Sequence, residues 1–349
     1  MSQFTYIKRA FQLAKLAGNR CTPNPRVGSV IVHKNQILGE GYHERFGEAH
    51  AEVNALESIT AINKKYLAQS KLYVSLEPCN HQGKTPPCTI AIRDAGIPEV
   101  EVAAVDPSEK ISGSGILDLE SMGINVITTE KWPFVEIPHK AFQTVERYGR
   151  PRIILKFAQS KDGFMGKSDE QVWFTNAWSK RLVHQWRSRT SAILVGIGTV
   201  LVDNPSLTTR FGYGQNPLRI VPDFNHRLDP SMNIFSEETP VWVISKTTPE
   251  REFSLNHVTR KLIPKGLELP EFLNKELFEA GINTLLVEGG KKILSSYIAS
   301  KYWDEIRVFT GSKKLSSGIP SPLLSGHKKY KDLDILGDRL EIFLPEEKG

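Results

Sequence analysis

Cysteine is scarce in this 349-residue chain: Cys21, Cys79 and Cys88 are all there is. So small and odd a set builds no disulfide framework. In a reducing compartment, two cysteines close in sequence more often bind metal or do chemistry than bridge. Long apolar runs are missing as well. No stretch approaches the roughly 18 consecutive apolar residues that cross a bilayer, so no membrane partner is expected. The N-terminus, Met1-Ser-Gln-Phe-Thr-Tyr-Ile-Lys-Arg9, sets its charges inside an amphipathic pattern and lacks a signal peptide's apolar segment. The expectation is a cytoplasmic protein. Internal repeats and low-complexity tracts are also lacking.

The first half has no excess of one charge. The formal net charge is +6 and the pI about 9.0. Residues 1–150 hold 17 Lys+Arg against 16 Asp+Glu, and the remainder holds 28 against 23. A polynucleotide reader would show a basic stripe. This distribution predicts no nucleic-acid partner and fits a solvated surface with a few phosphate-binding cations.

With 40% hydrophobic and 24% charged residues, the composition is that of a globular protein. The length suggests two domains, 1–148 and 149–349, with Gly149-Arg-Pro151 as the seam. In the first, apolar spacing predicts a helix over 3–17, and Pro23 and Pro25 then bar helix. Strands are expected at 27–32, 37–40, 72–76 and 100–105, and helices at 49–62, 88–95 and 139–148. In the second, strands are expected at 152–158, 192–195, 218–221, 241–244 and 284–287. Helices are expected at 177–189, at 270–280 and after Gly290. Interleaved strands and helices make both domains α/β, the first with three layers.

Chemistry concentrates in the first domain. His50-Ala51-Glu52 stands at an expected helix start, and Pro78-Cys79 and Cys88 follow at the next loop and helix. A catalytic zinc takes three protein ligands and keeps one position for water. His-x-Glu followed by Pro-Cys and a further Cys is the order found in zinc deaminases, where His and two thiolates hold the metal and Glu shuttles protons. That assigns His50, Cys79 and Cys88 to one zinc and Glu52 to catalysis. Taken singly, the same residues also suit a structural zinc, packed core cysteines and a solvated glutamate. The cysteines enclose eight residues, Asn80 to Pro87, and a loop at the mouth of a site is placed to meet substrate.

These residues resemble a known family. His50-Ala-Glu52 with Leu76-Glu-Pro-Cys-Asn-His-Gln-Gly-Lys-Thr-Pro-Pro-Cys88 is similar to the deaminase half of the bifunctional riboflavin-biosynthesis deaminase–reductases. Pro23-Asn-Pro-Arg-Val-Gly28, Gly41-Tyr-His43, Val105-Asp-Pro107 and Ser112-Gly-Ser-Gly115 match the same family. In the second half, Lys156-Phe-Ala-Gln-Ser-Lys-Asp-Gly163, Trp173-Phe-Thr175, Gly196 to Pro205 and Val287-Glu-Gly-Gly290 resemble its reductase half. The likeness weakens between about 222 and 280 and after about 310.

The resemblance implies a cytidine-deaminase-like α/β/α domain followed by a dihydrofolate-reductase-like α/β domain. It implies zinc-dependent deamination of a phosphoribosylaminopyrimidine and then reduction of the ribosyl unit to ribityl with NADPH. It places Asn24, His43, His81 and Lys84 on the deaminase substrate. Gln171, Arg187, Asp203, Leu207, Arg210 and Glu288 would face the reductase substrate, and Ala158, Trp173, Thr199, Gly289 and Gly290 the cofactor. A Gly-Gly between strand and helix can present backbone N–H groups to an anion. Two departures fall in the reductase half. Phe164 replaces the family's usual arginine, and Gln171 stands where serine is common, though its amide still donates.

Three alternatives stay open on sequence: a deaminase with a scaffold as second domain, an RNA-editing deaminase, and a non-catalytic zinc module. NADPH binding, salt-dependent RNA affinity and a silent Glu52→Ala would respectively mark them. A homo-oligomer is the expected assembly.

Overall fold

Strand β1 (Gly28–His33) is buried along its whole length, and its alternation divides the first unit into layers. Val30 and Val32 pack against helix α1 (Gln3–Ala14), which brings Ile7, Ala10 and Phe11. Ile31 points the other way, among Ala55, Ile92 and Leu119. Strand β2 (Gln36–Tyr42) returns antiparallel to β1 through Lys34 and Asn35, both at positive φ, as a two-residue hairpin turn requires. Then follow α2 (Ala51–Glu57), β3 (Lys71–Val74), α3 (Cys88–Asp94), β4 (Glu99–Val102), α4 (Ser114–Ser121), β5 (Asn125–Thr128) and α5 (Lys140–Tyr148). The sheet order is β2-β1-β3-β4-β5. The computed structural model describes residues 3–108, 112–129, 139–211, 215–249 and 255–346. The chain splits into two compact units, Met1–Gly149 and Arg150–Gly349.

Helix α2 is shorter than the 49–62 that apolar spacing predicts. Ser58 ends it: its hydroxyl donates to the Ala55 carbonyl at 2.8 Å and accepts the Glu40 N–H at 2.9 Å. A serine that captures local backbone groups competes with the helix. Helix α2 also lies very close to β2. A Cβ on Gly39 would stand 2.3 Å from the Ala55 oxygen, and one on Gly41 2.3 Å from the Ala55 nitrogen.

His139 secures the start of α5. It is fully buried, and its Nε2–H donates to the Ser75 carbonyl at 2.9 Å. Burial lowers its pKa from the ordinary 6.5 to about 4. Between those values the unfolded chain binds the extra proton. The first unit is therefore expected to keep its full stability above pH 6.5 and to lose about 3 kcal/mol as the pH falls to 4. His139→Gln keeps a donor for Ser75 and should flatten that dependence in urea melts. An unchanged slope in the variant would assign the effect to another group.

Among the described residues the second unit holds a nine-stranded sheet. Its elements are β6 (Arg152–Gln159), β7 (Phe164–Gly166), α6 (Ala177–Arg187), β8 (Ala192–Leu194), α7 (Ile197–Asp203), β9 (Leu218–Pro222), β10 (Val241–Ser245), β11 (Val258–Leu262), α8 (Leu269–Glu279), β12 (Thr284–Val287), α9 (Lys291–Ser300), β13 (Glu305–Thr310), β14 (Ile319–Pro320), β15 (His327–Ile335) and β16 (Asp338–Pro345). The order is β11-β10-β9-β8-β12-β6-β13-β16-β15, parallel from β11 to β13 and antiparallel beyond. Ala192 and Leu194 face the core formed with α8 and α9, while Ile193 and Val195 face the opposite cluster with Val200 and Leu207. Sequence patterning does not predict α7, β11 or the strands after residue 300. The loops leaving β8 and β12 lie side by side at the carboxyl ends of parallel strands, the usual ligand crevice of such sheets. Among the described residues no helix is long and apolar enough to cross a membrane.

Candidate active sites

Two helix starts and one strand end build the first site. His50, with extended backbone, caps α2, and Pro87 launches α3 at Cys88. Cys79 sits on the loop leaving β3. His50 Nδ1 lies 3.4 Å from Cys79 Sγ and 3.3 Å from Cys88 Sγ, and all three donor atoms lie within 4.8 Å of one another. A tetrahedral zinc, with about 2.3 Å to sulfur and about 2.0 Å to nitrogen, spaces such atoms by roughly 3.5 Å. Donor set and spacing fit zinc.

Electrostatics point the same way. A hydrogen bond from Cys88, together with His50, pulls the Cys79 thiol well below its ordinary value. The same bond and burial push Cys88 up. A cation bound there would displace the thiol protons. Glu52 is buried in the first turn of α2. Burial pushes its carboxyl up to about 7, against the pull of His50. A group poised there can both accept and return a proton near neutrality.

Asn24 and His43 come together beside the ligands. His43 Nδ1 lies 3.0 Å from the Ala49 carbonyl, which can only accept, so Nδ1 carries the proton. Nε2 is then free to accept from Asn24 Nδ2 at 3.2 Å. Burial keeps the ring neutral by lowering its pKa, and it stands edge-on to His50 at 5.1 Å. His81 and Lys84 are exposed on the inter-cysteine loop, with the Lys84 ammonium 4.1 Å above the Phe46 ring.

Glu77 has a role that its sequence context does not announce. Its buried carboxylate accepts four backbone N–H groups: Asp106 and Gly113 at 3.0 Å, Gly115 at 2.8 Å and Ile116 at 3.2 Å. It joins the cysteine loop to the start of α4. A lone glutamate beside a proline carries no sequence signal of that kind.

In the second unit, Arg187 and Glu288 meet in a bidentate pair at 2.8 and 2.9 Å. Lys156, which sequence reasoning left without a role, reaches Glu288 at 3.7 Å from the neighbouring strand β6. Burial alone would raise the Glu288 pKa; Arg187 and Lys156 outweigh it and hold the carboxyl at about 2. Gln171 reaches the Asp203 carboxyl and accepts from the Trp173 indole at 3.2 Å. Trp173 is 54% exposed. Leu207 is buried at positive φ, and the Arg210 N–H donates to His184 Nδ1 at 3.4 Å.

The residues expected to face the cofactor lie at the β8 and β12 ends, apart from Trp173 and Ala158, which is on β6 among the α6 contacts. Thr199 on α7 stands against Gly289: a Cβ there would be 3.1 Å from the Thr199 hydroxyl. Gly290 caps α9 at φ 74°, a conformation other residues rarely adopt. The two glycines leave a backbone cradle at the start of a ten-residue helix, which suits a dinucleotide phosphate.

Both units have counterparts among known proteins. Residues 2–104 match the cytidine and deoxycytidylate deaminase zinc-binding region, and residues 151–328 match the RibD C-terminal domain. The riboflavin biosynthesis protein RibD of Aquifex aeolicus is 38% identical, over 97% of each chain. A diaminohydroxyphosphoribosylaminopyrimidine deaminase/5-amino-6-(5-phosphoribosylamino)uracil reductase from Thermotoga maritima superposes with a TM-score of 0.84 at 34% identity, covering 98% of each chain. Acinetobacter baumannii RibD gives 0.84 at 27%, again over 98% of each. A cytidine-deaminase-like domain is thus followed by a dihydrofolate-reductase-like one. The chain belongs to the RibD family of riboflavin biosynthesis proteins.

Proposed function

We propose that the chain performs two consecutive steps, the first in residues 1–148 and the second in 149–349. The first is hydrolytic deamination of 2,5-diamino-6-(5-phosphoribosylamino)pyrimidin-4-one. The second is NADPH reduction of the ribosyl side chain of 5-amino-6-(5-phosphoribosylamino)uracil to ribityl. The observation that carries the reading is Glu52, buried beside one imidazole and two cysteine sulfurs that fit zinc. A zinc bound there supplies Lewis acidity and makes water a nucleophile near neutral pH. Glu52 takes one proton from the water and returns it to the departing amine, and the second water proton passes to the ring nitrogen, so that ammonia leaves as C2 gains a carbonyl oxygen. Asn24 and His43 hold the pyrimidine edge, and His81 and Lys84 close on it from the loop.

In the second unit, NADPH supplies the hydride. An N-glycosylamine opens to an imine that can receive it, so no metal is needed for this step. Arg187, Glu288, Asp203, Gln171, Leu207 and Arg210 orient the substrate. Ala158, Trp173, Thr199 and Gly289-Gly290 seat the cofactor. We also infer a cytoplasmic protein, supported by three free cysteines, and a homo-oligomer formed through exposed sheet edges such as β15.

The test supplies the purified chain with only the diaminopyrimidinone substrate and follows NADPH. Oxidation should stop when a chelator removes the zinc, and resume when the deaminated uracil is added directly. No NADPH loss with either compound would leave the second unit a scaffold.

A further inference from the structure

The segment from Asn204 to Arg210 carries two residues in a conformation that non-glycine residues seldom adopt, Asn204 at φ 38° and Leu207 at φ 54°. Such a shape persists only where surrounding groups enforce it. Here the groups are identifiable. Asn233 donates its N–H to Asn204 Oδ1 at 2.8 Å and its amide to the Asn204 carbonyl at 2.9 Å. Thr209 N–H donates to Asn216 Oδ1 at 2.8 Å, and Arg210 N–H to His184. At the centre lies Arg219 on β9, with 0% exposure. It donates to the Ser206 carbonyl at 3.2 Å, and to those of Ser236, Glu237 and Thr239 at 2.9, 3.3 and 2.8 Å. A buried guanidinium with four carbonyl acceptors ties two loops into one body, a geometry that lysine's single ammonium does not reproduce.

We propose that Arg219 is a positioning residue for the reduction step, holding the 204–210 loop in the shape that presents Arg210 and the Leu207 backbone to the substrate. It touches neither substrate nor cofactor and acts through the Ser206 carbonyl. The proposal rests on the reading that this loop meets the uracil substrate.

Arg219→Lys keeps the charge and most of the volume. It is expected to raise KM for 5-amino-6-(5-phosphoribosylamino)uracil about tenfold, equivalent to about 1.4 kcal/mol, with kcat and the Kd of NADPH within about twofold. Asn233→Ala, at an exposed position, should shift KM the same way by about threefold without a folding cost. Amide exchange should quicken over 204–210 in both variants while the sheet stays protected. Arg210→Met tests the underlying reading separately. If it leaves KM unchanged, the loop does not meet substrate and both ideas fall. If it raises KM while Arg219→Lys and Asn233→Ala do not, only the positioning role falls. A parallel rise in KM and NADPH Kd in Arg219→Lys would also overturn it, as general damage. If Arg219→Lys does not fold, Asn233→Ala decides.

Discussion

Replacing Glu52 by glutamine should slow deamination by about 10²- to 10⁴-fold and leave reduction of the uracil intact. The side chain is buried beside the three atoms that could hold the metal, so the amide fits the same space and His50, Cys79 and Cys88 are untouched. What disappears is the group that carries a proton from water to amine. The variant should retain one zinc per chain by metal analysis. It should oxidise NADPH at the wild-type rate when given the deaminated compound, and hardly at all when given the diaminopyrimidinone. Loss of zinc in Glu52→Gln would show that Glu52 supports the metal rather than the proton transfer. Wild-type deamination would remove it from catalysis.

Glu288→Ala should remove about 3–5 kcal/mol from the second unit and stop the reduction step. The carboxylate is 5% exposed and faces two cations, Arg187 at 2.8 Å and Lys156 at 3.7 Å. Deleting it strands both without a counter-charge. Replacing the whole cluster by Lys156→Met/Arg187→Met/Glu288→Leu should recover much of the stability without recovering activity, because the three buried charges go together. That contrast separates packing from chemistry. The pH dependence carries a definite sign. The Glu288 pKa falls from 4.5 to about 2 on folding, so its contribution is complete above pH 4.5. It is lost as the pH drops toward 2, by about 3 kcal/mol. Equal denaturation midpoints for wild type and Glu288→Ala at pH 7 would show that the pair contributes nothing net.

The candidate zinc site is legible because its chemistry is local. His50 and Glu52 are two residues apart, Pro78 adjoins Cys79, and the residue types are rare enough to stand out. The candidate reductase site draws on helices, loops and strand ends far apart in sequence, so single residues carry little signal. Lys156 lies on a strand, where a lysine ordinarily points to solvent; only the register of β6 against β12 brings it to Glu288. Helix α7 was missed because Ile197-Gly-Thr-Val-Leu-Val202 is β-branched and contains glycine, poor helix material. Packing of Val200 against Ile193 and Val221 overrides that preference. In the opposite direction, apolar spacing overshot α2, since periodicity says nothing of the Ser58 hydroxyl that ends it.

The close seat of α2 on Gly39 and Gly41 bears on how this chemistry is inherited. The room that lets His50 and Glu52 reach the cysteines is set by two positions that contribute no reactive atom. A distant chain could keep all four reactive residues, gain one methyl group through a change such as Gly41→Ala, and carry an intact signature above a displaced helix. Tracing deaminases through divergent genomes by ligand spelling alone would then count such a chain as active. The spacer glycines belong in the pattern, because they decide whether the letters still meet.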